Sequence, residues 1–139
     1  MPDPNDLILI GILLLALVTV ESGGYFLTRV VRGHVPANRL QGNFYRAGHA
    51  HAAVLLVLSM VILSVISYAA LDGLWMQVAR LGVPIAAILM PAGFFLSVLG
   101  RDPQRPNRLI LLLWLGVVSL TAALITAGIG LIMGGVAAL

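Results

Sequence analysis

Two histidines stand in the segment Arg46-Ala47-Gly48-His49-Ala50-His51, where an arginine-bearing stretch gives way to a long apolar run. An imidazole at the lip of a membrane helix has three uses: it binds a cofactor, carries protons, or rests wet at headgroup level. Two residues apart on a helix, the rings point about 200° from each other. They cannot clip one metal ion together, and no thiolate or third imidazole stands nearby, so a zinc site is not expected. A single imidazole is suited to ligate haem iron. Residues in helical step with His49, such as Ala52, Ala53 and Ser59, are small or polar. Those in step with His51 (Leu55, Leu58, Ile62 and Val65) are bulky and apolar. This periodicity predicts that His49 faces inward and His51 outward.

Glu21 is the third chemistry-bearing group. It lies in the middle of another apolar run, with Tyr25 and Thr28 one and two turns along the same face. An ionisable residue at such a depth marks a proton path, a substrate site or a cofactor pocket, unless it is a structural carboxyl bonded to a neighbour. His34 is expected to be solvated, and Tyr45 and Tyr68 to be interfacial aromatics. No Ser-His-Asp set, carboxylate pair, phosphate loop or dinucleotide fingerprint is legible.

The elements that position these groups follow from composition. Of 139 residues, 60% are hydrophobic and only 9% charged, too few to cover a soluble surface. The mean hydropathy of +1.07 makes the bilayer the solvent for most of the chain. Four runs are long enough to span it: 7–28, 47–71, 78–99 and 109–136. Strand alternation is lacking, so the expected fold is all-α, an integral membrane four-helix bundle forming one domain over 1–139. Arg29, Arg32, Arg39 and Arg46 separate the first two runs, and Arg101, Arg105 and Arg108 the last two. Asp3, Asp6 and Asp72 mark the other side, with Arg80 just inside the third run. Positive charge on the inner side places both termini on the non-cytoplasmic side of the cell membrane.

A cleaved signal peptide is not expected. With no cysteine, the chain has no disulfide, iron–sulfur or thiol chemistry. Its basic residues are all arginine without interleaved aromatics, so nucleic acid is not an expected partner. Trp75 and Trp114 read as interface anchors. Pro84 and Pro91 interrupt the third run, and Ala92-Gly93 leaves room for a bulky neighbour. Gly130 and Gly134 form a small-xxx-small pair suited to close contact, within one chain or between the subunits of a homo-oligomer.

Several short pieces carry a family likeness: Gly23-Gly24-Tyr25, His34-Val35-Pro36, Arg46-Ala47-Gly48-His49, Gly93-Phe94-Phe95-Leu96 and Pro106-Asn107-Arg108. In this order and spacing the chain resembles the styrene oxide isomerase and hydroxylaminobenzene mutase superfamily of four-span membrane proteins. The resemblance implies haem b as cofactor and His49, with His51 as the alternative, as the axial iron ligand. It also implies Arg46 and Phe95 beside the cofactor. It further implies isomerase chemistry in which the iron acts as a Lewis acid on an oxygen of a small apolar substrate. Two departures bear on the reaction: Leu55-Leu56 (or Val57-Leu58) stands where the family has Asn-Gly, and Phe95 stands where it has a tyrosine. Glu21 and Tyr25 are the residues left to supply polar catalytic groups. Two other classes fit the composition: a small proton-coupled transporter built on Glu21, and a membrane accessory subunit without chemistry of its own.

Overall fold

The computed structural model describes residues 3–139, and the described part is helical without strands. Four helices are long and apolar enough to cross a membrane: α1 (Pro4–Val31), α2 (Arg39–Val65), α3 (Gly73–Ser97) and α4 (Ile110–Ala137). In hydrocarbon every backbone polar group must be satisfied within its own segment, so long apolar runs become helices.

The helices begin and end differently from the apolar runs, because capping and not hydropathy sets their termini. Asp3 caps α1 by accepting the Asn5 N–H at 2.8 Å, with Pro4 at the first helical position. The α2 start moves eight residues ahead of the apolar run. Asn38 and Gln41 form a reciprocal capping box there, so Arg39 and Arg46 are helical and not loop. At its other end α2 gives way to one 3₁₀ turn, Ile66–Tyr68. The third helix runs unbroken through Pro84 and Pro91.

Packing follows chain order. The first helix lies on α2, α2 on α3, and α3 on α4, while the 3₁₀ turn rests on α4. The core sits where α2, α3 and α4 meet and includes Leu55, Leu63, Ile66, Val83, Ala86 and Ala123. Because α2 has neighbours on two sides, both of its faces are covered. Leu55 and Ile62 are buried along with Leu56 and Ser59, so the contrast between an inward and an outward histidine face does not hold.

The α3–α4 seam is closed by missing side chains. A Cβ on Gly82 would stand 2.6 Å from Ala123 Cβ, one on Gly93 2.7 Å from Leu113 Cβ, and one on Gly116 2.5 Å from Met90 Cγ. The room beside Gly93 is thus filled by α4 itself. Gly130 and Gly134 receive the chain's own turn: Leu71 packs on the first and the Tyr68 carbonyl on the second. The Ala70 N–H donates to the Gly130 carbonyl at 2.9 Å. The small-xxx-small pair therefore serves packing within one chain.

At the end away from most of the arginines, Arg80 of α3 reaches the start of α1. It meets Asp6 at 2.6 Å and Asp3 at 3.0 Å, and the Asp6 side chain is only 6% exposed. The Asn5 N–H holds the Asp3 carboxyl below its ordinary range; desolvation opposes it, and the Arg80 guanidinium adds to the lowering.

Candidate functional site

The two histidines of α2 turn to different neighbours. His49 lies against the glycine pair of α1. Its Nδ1 is 3.2 Å from where a Gly23 Cβ would stand, and its Nε2 is 3.6 Å from the corresponding point at Gly24. Any larger residue at Gly23 would push the ring aside, so the two glycines form a cradle that fits an imidazole. The ring is half-buried, and neither nitrogen has a hydrogen-bond partner among the described residues.

His51 does not face outward unbonded. Its Nδ1 lies 2.7 Å from the Ala47 carbonyl, and its ring sits 5.0 Å from that of Phe94 on α3. The carbonyl can only accept, so Nδ1 is the donor.

Phe95 leaves the histidines and covers Gly48. Its ring would come within 2.8 Å of a Cβ there, and it stacks on Tyr45 with centroids 5.6 Å apart. Tyr45 is buried between Phe95 and Phe26 of α1, with the Phe26 centroid 5.4 Å away, and is not an interfacial aromatic. An aromatic row therefore joins α1, α2 and α3 one turn from His49. Leu55 and Leu56 are both in the core, so no amide or hydroxyl approaches from that part of α2.

Arg46 is exposed, one turn before His49, and donates to Asn43 Oδ1 at 2.7 Å. With Arg32 it borders an open recess of about 320 Å³ between the end of α1 and the start of α2, walled by Leu27, Thr28 and Val31. Neither arginine has an acidic partner. Among the described residues the only salt bridges are those of Arg80.

The pieces that carry the family likeness converge at this end. Gly23-Gly24 meets His49, Phe95 meets Gly48, and Asn107 ties back to α3 by donating to the Leu96 carbonyl while its N–H bonds the Ser97 carbonyl. His34 stays exposed in the connecting loop. Glu21 and Tyr25 do not join the site: both lie on the exposed surface of α1, and Tyr25 is 69% exposed.

Sequence reasoning missed two sets of polar residues. The first is the Arg80 clasp, whose signal was a lone arginine facing two aspartates across the array. The second is the stitch at the arginine-rich end. Buried Gln41 donates to the carbonyls of Val98 and Gly100, and Asn38 donates to Asp102 and to the Pro103 carbonyl. The Asn38-x-x-Gln41 spacing was its signal. No group of three or more metal-ligating side chains occurs among the described residues. No family profile, curated protein or solved structure matches the chain.

Proposed function

We propose that this is a haem b-binding protein of the cell membrane, with His49 as the iron ligand, and that it isomerises a small apolar substrate. One observation carries the reading: Gly23-Gly24 and His49, far apart in sequence, meet so that an unbonded imidazole lies in a glycine cradle at the α1–α2 seam. The donor set suits the group. The His49 imidazole would bind the iron, and Arg32 and Arg46 at the neighbouring recess would hold the two propionate carboxylates. Bound there, the iron supplies Lewis acidity toward a substrate oxygen.

The chain's own residues set the rest. Leu27 and Val31 give the recess an apolar wall, suited to an apolar substrate dissolved in lipid. Phe95 offers no hydroxyl to that substrate, and its ring is committed to Gly48 and Tyr45. In this reading the arginine-rich end faces the cytoplasm, and both termini lie on the other side.

The test is absorption of the detergent-purified protein from a haem-replete host. A Soret band is expected, lost in His49→Ala and kept in His51→Ala. A colourless wild-type preparation overturns the reading, and loss in His51→Ala alone moves the ligand to that residue.

A further inference from the structure

Glu21 has no use in the site just described, yet its position demands one. It is exposed on a helix whose most apolar stretch is only 6% buried, compared with 44% for α3. A carboxyl facing hydrocarbon without a partner is strongly unfavourable. The hydroxyls of Thr19, Ser22, Thr28 and Ser64 each donate to a carbonyl of their own helix, and that of Ser119 to the Gly82 carbonyl. Among the described residues, neither the Glu21 carboxyl nor the Thr121 hydroxyl of α4 has such a bond.

The two groups lie at one depth. Glu21 is ten residues before the end of α1 and Thr121 eleven after the start of α4, so each is about 16 Å from the arginine-rich end at about 1.5 Å per residue. A second pair repeats the match. Thr28 follows Glu21 by seven residues, and Trp114 precedes Thr121 by seven, so both stripes are two turns long. Thr28 and Trp114 are also exposed, Trp114 by 60%. The chemistry alternates correctly. The first stripe presents acceptors, the Glu21 carboxyl and the lone pairs of the Thr28 hydroxyl, whose hydrogen goes to the Tyr25 carbonyl. The second presents donors, the Thr121 hydroxyl and the Trp114 indole N–H. The helices bearing them run antiparallel and are the two outermost of the array, which share no packed interface within the chain.

We infer that α1 of one copy docks on α4 of the next, with Glu21 against Thr121 and Thr28 against Trp114. The contact joins two different surfaces, so it repeats head to tail from copy to copy. Every copy then shields the carboxyl of its neighbour from lipid.

The absence of cysteine makes this directly testable. A chain carrying Glu21→Cys and Thr121→Cys, oxidised in membranes, is expected to give a ladder of covalent oligomers on denaturing gels, because bridged residues must come within about 7 Å. Mixing the two single variants should give a covalent dimer, whereas Glu21→Cys alone should give none. A link within one chain, a Glu21→Cys homodimer, or no link at all overturns the proposal. As a second measurement, native mass in detergent should fall to that of one chain in Glu21→Leu but not in Glu21→Gln, which keeps an acceptor. Equal assembly of both variants also overturns it. Neither readout requires haem, so the result is independent of the function proposed above.

Discussion

The two outer seams of the array both rely on glycine, and they use it in opposite ways. Between α3 and α4 the gaps at Gly82, Gly93 and Gly116 are filled by the partner helix itself, leaving nothing that can move aside. Between α1 and α2 the gap at Gly23-Gly24 is filled by the imidazole of His49, a ring on a rotatable stem. The first arrangement fixes helices to each other, and the second holds a reactive group between them. Small residues in a membrane helix thus mark close approach, but only the identity of what approaches separates structure from chemistry.

The sharpest way to break this comparison is Gly93→Ala. Its Cβ would overlap Leu113 backbone and side chain, so α3 and α4 must separate; a loss of about 3 kcal/mol is expected, read as early unfolding in a detergent thermal scan. Next is Arg80→Gln, which leaves Asp6 buried without its cation. The expected loss is about 2 kcal/mol, below the figure for a fully dry pair because Asp3 and part of Arg80 reach water.

Gly23→Ala sharpens the contrast by leaving stability within about 0.5 kcal/mol, since better helix propensity offsets a small shift of the His49 ring. With haem bound as proposed, its affinity should nevertheless fall about tenfold, measured by titration of the Soret band. Equal stability losses at Gly23 and Gly93 would remove the distinction between the seams.

The smallest effect is on pH dependence. The Asp3 carboxyl is held below its ordinary range in the folded chain, so its contribution is complete above about pH 4 and fades as pH falls through the lower folded value. Asp3→Asn should flatten that acid limb, with its small loss of stability present at neutral pH and vanishing at low pH, which unfolding scans across pH would read.

The four spans were legible because hydropathy and length alone decide them. Their ends were not, because Asp3, Asn38 and Gln41 act through local hydrogen bonds that a hydropathy window averages away. The opposed directions of His49 and His51 followed from a 100° step per residue. Which helix each would meet did not follow, because sequence periodicity cannot say that α2 has neighbours on two sides. Glu21 was conspicuous as a carboxyl in an apolar run, yet its exposure depends on α1 packing mainly against α2. The Arg80 clasp required knowing that α1 begins beside α3.

The bond from the Ala70 N–H to the Gly130 carbonyl has a bearing on biogenesis. The turn that joins the second and third helices finds its acceptor in α4, which leaves the ribosome after both of them. A chain released before Gly130 holds three inserted spans and a hairpin whose bend has nothing to rest on. The order of synthesis is therefore not the order of completion: the fourth span sets the bend that was made after the second.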